Sequence, residues 1–113
     1  TSEAYNVFHH AGTLIVIYAK PSQHDPIVDC CMAAQNLLLA AHGIGLGTCP
    51  IGFVRSWLNL RDTKYELGIP QSYTAVMPIV VGWPASTPEV VPRSEPEIAV
   101  WSDTPDAVAA PAK

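Results

Sequence analysis

Positive charge is scarce in this chain: six lysines and arginines stand against ten aspartates and glutamates in 113 residues, for a net charge of −4. Such a balance lacks the basic footprint of a nucleic-acid binder. Cysteine is scarce as well. Cys30, Cys31 and Cys49 are odd in number and show no Cys-x-x-Cys spacing, which argues against a disulfide framework and against a structural zinc site. Their expected state is that of buried free thiols. The longest apolar stretch, residues 30–41, is interrupted by Gln35 and Asn36. It falls short of the roughly 18 to 20 residues needed to cross a bilayer, so no membrane span is expected. No basic segment followed by an apolar one stands before Ala4, so the expectation is no secretory signal and a reducing, cytoplasmic setting. His9, His10, His24 and His42 lack ligand spacing such as His-x-x-x-His, and no metal site is expected. No internal repeat is found.

Apolar residues are plentiful, at 49% of the chain, alongside eleven prolines. That composition suits one folded domain rather than a disordered chain. Residues 13–19 form a short β-branched run between Gly12 and Lys20-Pro21-Ser22, which predicts an interior strand covered on both faces. Asp25-Pro26 offers an N-cap followed by proline at the first helical position. From there, residues 27–42 place apolar side chains all round a helix axis. A helix of that kind is normally central and covered on every side. Gly43 is expected in the left-handed position past its end, with a brief strand at 46–49.

Two short helices are predicted over 53–60 and 62–67, the second stopped by Gly68-Ile69-Pro70. Residues 74–82 predict another apolar strand, and Pro78 within it points to an edge or a bulge. Beyond Trp83, prolines 84, 88, 92 and 96 recur at every fourth position, so that stretch should be extended rather than helical. Residues 1–98 therefore read as one structural unit and 99–113 as an extended, fraying tail.

The unusual feature is the passage from an almost wholly apolar helix into Gly43-Ile44-Gly45-Leu46-Gly47-Thr48-Cys49-Pro50-Ile51-Gly52. Glycine there can bring bare backbone against a flat ligand, although a plain helix-to-strand connection would also use a glycine or two. Several segments, in this order and spacing, resemble the flavin-dependent nitroreductase family. They are residues 14–19, residues 33–42, Gly45 to Phe53, Leu67-Gly68-Ile69-Pro70, the Val80-Val81-Gly82-Trp83-Pro84-Ala85 stretch, and Pro92-Arg93-Ser94-Glu95-Pro96-Glu97. The likeness covers residues 10–98 and corresponds to the C-terminal half of the family's domain.

The resemblance implies an α+β sandwich, here a half of it: the central apolar helix against a small mixed sheet, completed by a homodimer partner or a complementary N-terminal chain. It implies FMN at the subunit interface. NADH or NADPH would reduce the flavin, which would then reduce a nitroaromatic, a quinone or a similar electron-poor acceptor. In the family a loop after the central helix passes over the flavin ring and a backbone N–H reaches N5. The likeness carries that role to Pro50, Ile51 and Gly52, with the Gly52 N–H as the donor; no side-chain acid is implied. The family's tail supplies a basic residue to the FMN phosphate, and Arg93 stands at the matching place, where guanidinium suits bidentate contact.

The chain departs from the pattern in lacking the family's Arg-Ser-x-Arg type segment that cradles the phosphate and ribityl chain; Arg55-Ser56 lies after the ring loop instead. A fragment, one chain of a split protein and a shortened relative all remain open. So does a flavin-free structural or oligomerisation module on the same scaffold. Trp57, Trp83 and Trp101 are expected to pack in a core or an interface, and Gln35 and Asn36 to find partners for their amides.

Overall fold

A computed structural model describes residues 11–22 and 24–103. The expectations for His9, His10 and residues 104–113 lie outside that range. The elements, in chain order, are strand β1 (Thr13–Ala19), helix α1 (Pro26–Gly43), strand β2 (Gly47–Pro50), a 3-10 turn (Gly52–Val54), helices α2 (Arg55–Leu58) and α3 (Arg61–Leu67), and strand β3 (Thr74–Gly82). No helix among the described residues is long and apolar enough to cross a membrane.

Helix α1 starts where its cap dictates: the Val28 N–H donates to the Asp25 carboxylate at 3.3 Å, and Pro26 occupies the first turn. Its closure lies two residues later than expected. Gly43 is still helical, and the left-handed residue is Gly45 (φ 87°). The Leu46 N–H donates to the Ala41 carbonyl and the Gly45 N–H to that of His42. That pair of bonds is a Schellman closure, which needs the left-handed residue two positions beyond the last helical one.

The three strands form a sheet in the order β1-β3-β2 in which every pairing among the described residues is antiparallel, where a mixed sheet was expected. Strand β1, expected inside the sheet, has one strand neighbour among the described residues and lies outside β3, whereas β3, for which Pro78 pointed to an edge or a bulge, is central and carries the bulge. The reason lies in where the missing donor points. Pro78 turns its carbonyl toward the β2 side, where it accepts from the Ile51 N–H at 2.8 Å, and β2 has already ended at Pro50. No ladder bond is lost at that spot. The bulge lies next to the proline: Ile17 pairs with Met77 but Tyr18 with Ala75, so Val76 is left over.

Each sheet face has its own cover. On one side Ala19 and Val76 pack with Cys30 of α1, with Ile17 beside them. On the other, Ile51, Val54 and Leu58 close over Ala75 and Val80, with Ala11, Val16 and Tyr18 at the margin. Consecutive β1 residues thus point to opposite layers, as the strand period requires.

Candidate functional site

The loop that follows β2 is held from below and open from above. Ile51 is 2% exposed and inserts into the core between Val54 and Leu58, and its N–H is bonded to Pro78. Pro50 and Gly52 on either side are exposed. The 3-10 turn beginning at Gly52 has no side-chain cap, so the N–H groups of Gly52 and Phe53 take no partner within their own turn. A Cβ at position 52 would meet only the Arg55 guanidinium, at 3.5 Å, an ordinary contact, and Gly52 has no left-handed backbone to maintain. Nothing in the packing of the described residues therefore requires glycine there.

These features fit a flat ring laid against main chain: exposed backbone, N–H groups without a partner among the described residues, and a rigid floor. Phosphate-binding groups are sparser. Arg93 stands in the stretch after β3, where Glu89, Arg93, Glu95 and Glu97 are all exposed.

Two shallow grooves lie at the opposite end of β2. One, of about 620 Å³, is bounded by Gly12, Thr13, Thr48, Cys49, Gly82 and Trp83. The other, of about 480 Å³, shares Gly47, Thr48 and Pro84 with it and reaches His42 and Ser86. Neither includes Pro50, Ile51 or Gly52.

Of the three thiols, only Cys30 is buried; Cys31 and Cys49 are exposed, contrary to expectation. Cys31 follows Cys30 on α1 and so turns away from the sheet, and Cys49 lies on a strand at the sheet's edge. Burial, assisted by the neighbouring Cys31 and Asp29, pushes the Cys30 thiol up from its ordinary value. Burial also raises the Tyr18 phenol, whose hydroxyl is enclosed without a hydrogen-bond partner. Trp57, Trp83 and Trp101 are 50%, 83% and 79% exposed, so none belongs to the core of this chain. Gln35 and Asn36 are exposed too.

Asn59 escapes sequence reasoning altogether. Its amide makes three hydrogen bonds to main chain, two of them to Ala75 on β3. An asparagine directly after a four-residue helix is the only local signal for it.

Fold and site together define an α+β sandwich with helices on both faces of an antiparallel sheet and a glycine-bearing loop open at its rim. The Nitroreductase family model matches residues 3–83, and the chain belongs to that family. It is 35% identical over 74 residues to a protein of Salmonella typhimurium named oxygen-insensitive NADPH nitroreductase, covering 66% of this chain and 30% of that one. It is 36% identical over 73 residues to the NADPH-flavin oxidoreductase of Vibrio harveyi, with 65% and 30% covered. Among solved structures, a nitroreductase with bound FMN from Desulfitobacterium hafniense superposes with a TM-score of 0.67 at 28% identity, over 84% of this chain and 54% of the other. The chain thus spans about a third of the curated relatives it matches and about half of the solved structures.

Proposed function

We propose that the protein to which this chain belongs is an FMN-dependent oxidoreductase that takes reducing equivalents from NADH or NADPH and delivers them to a nitroaromatic, a quinone or a similar electron-poor acceptor. Bound FMN supplies the hydride chemistry that no side chain here provides. Pro50, Ile51 and Gly52 form the floor for its ring. Ile51 fixes the height of the loop through its buried side chain and its bond to Pro78, while the Gly52 N–H is the donor assigned to flavin N5. Arg93 is assigned to the phosphate. The extended stretch that carries it suits a reach across to a second subunit, because prolines at every fourth residue hold it out of a helix. A homodimer partner, or a complementary N-terminal chain, would supply the remaining phosphate contacts and cover the outer side of α1.

One observation carries this reading: position 52 is glycine where the backbone and packing of the described residues would accept a side chain. The test is FMN titration of the complete protein and of two variants. Gly52→Val should lose FMN while its melting temperature stays near that of the parent. Arg93→Ala should weaken FMN binding about ten- to a hundredfold, the worth of a charge-assisted contact. A parent protein without flavin absorbance after reconstitution would leave the scaffold as a flavin-free oligomerisation module. Unchanged binding in Gly52→Val would remove the loop from the site.

A further inference from the structure

The edge of β3 that β2 leaves open is closed in two places, and both closures come from the ends of the segment that carries Gly52. At one end the Ile51 N–H donates to the Pro78 carbonyl at 2.8 Å. At the other, Asn59 Oδ1 accepts from the Ala75 N–H at 2.8 Å and Asn59 Nδ2 donates to the Ala75 carbonyl at 3.0 Å. A side-chain amide presents the same donor and acceptor as a peptide group, so Asn59 stands in for a residue of a further strand. The same Nδ2 donates to the Arg55 carbonyl, at 3.0 Å, tying the amide to the helix it follows.

This arrangement depends on the bulge. On a regular strand, residues an odd number apart turn their main-chain polar groups to opposite edges. Ala75 and Pro78 are three apart, yet both turn to the same edge, because Val76 is left out of the pairing with β1. The bulge is what lets one strand hold both ends of the segment.

We propose that Asn59 is a positioning residue for the flavin-facing loop: by clamping the end of α2 to Ala75, it fixes the 3-10 turn that presents the Gly52 and Phe53 N–H groups. The proposal rests on the flavin reading of that loop for its purpose, and on the hydrogen bonds alone for its mechanism. Helix α2 has four residues and could not hold its own shape. With the clamp gone, Leu58 still anchors the segment by its side chain, but the direction of the turn is no longer set.

The experiment compares the complete parent protein with Asn59→Leu, which keeps bulk and loses all three bonds, and Asn59→Asp, which keeps only the acceptor for the Ala75 N–H. Amide hydrogen exchange is read first, without FMN, at Ile51 and Arg55, whose N–H groups bond Pro78 and Gly52. Both should exchange about tenfold faster in Asn59→Leu, and less so in Asn59→Asp, while the β1–β3 ladder keeps its parent rates. FMN is then titrated: the dissociation constant should rise about tenfold in Asn59→Leu, with a shifted flavin absorption band in the bound form. A purely structural role would speed exchange everywhere in parallel and leave the bound flavin's spectrum unchanged, and that outcome overturns the proposal. Should Asn59→Leu fail to fold, Asn59→Asp decides by the same two readouts. A parent protein that binds no FMN would refute the flavin reading, while the exchange contrast still decides what Asn59 does to the loop.

Discussion

Helix α1 and the segment from Ile51 to Leu67 cover opposite faces of one sheet, and they do so by opposite means. Helix α1 is long, capped at both ends and in little need of help to be helical, yet it touches the sheet through small side chains: Cys30, Ala34 and Ala41 are its buried residues. Its large apolar groups point elsewhere, with Met32 66% and Leu39 61% exposed. The other segment consists of pieces too short to be stable alone. It is fixed by Leu58, 1% exposed, by the Asn59 amide and by the buried Lys64, whose ammonium donates to the Gln71 carbonyl at 3.1 Å. Gln71 in turn donates to the Arg61 carbonyl at 2.9 Å. That segment is fixed to the sheet from below, yet it too leaves large apolar groups uncovered, among them Phe53, Trp57 and Tyr65. Helix α1 is well formed but leaves Met32 and Leu39 uncovered, as befits a chain that spans only part of its relatives.

The contrast breaks first at Leu58. Leu58→Ala should destabilise the folded protein by about 2 to 5 kcal/mol, read from the denaturant midpoint, because the site is closed on all sides. A midpoint equal to the parent's would mean that the short helices are not held by their core. On the α1 face the opposite change is the damaging one: Ala34, 3% exposed, leaves no room for a larger group. Ala34→Leu should cost about 1 to 3 kcal/mol by forcing the helix away from the sheet, and a neutral result would show that the small residues are not there for close approach.

Leu39→Lys sharpens the comparison from the outer side. Its effect on the packing within this chain should be small, within about 0.5 kcal/mol. Its main effect should appear in sedimentation of the complete protein, as loss of assembled mass. An assembly indifferent to the lysine would place the cover of α1 somewhere other than at Leu39. The smallest effect concerns Cys30, whose folded thiol is raised above its ordinary value of 9.0. A raised folded value means that the stabilisation is complete below the unfolded thiol's range and is lost as pH rises through the folded one. Unfolding measured at pH 7 and pH 10 should therefore show a fall that Cys30→Ala reduces.

Much of this was legible in the residues. The limits of β1 and β3, the Asp25 cap with Pro26, and the break between the two short helices follow from local patterns of β-branched residues, prolines and caps, which act within a few positions of themselves. The loop at Pro50, Ile51 and Gly52 was legible only through a family likeness, since glycine and proline by themselves fit any connection. Strand order was not legible. Pro78 argued for an edge or a bulge, and only the pairing shows that the strand is central, with the bulge beside it and the missing donor facing the spot where β2 has stopped. Gly45 rather than Gly43 takes the left-handed position because the bonds closing the helix decide its last turn.

The sequence by itself determined which stretches are strand and which are helix, where α1 begins, and that apolar residues run all round its axis. The tertiary structure alone decided that β3 is central, that a bulge at Val76 turns Ala75 and Pro78 to one edge, and that Asn59 closes that edge. The physical reason is range. Propensity and capping are settled between neighbours in the chain, whereas a hydrogen bond between Asn59 and Ala75, 16 residues apart, exists only once packing has brought the two together.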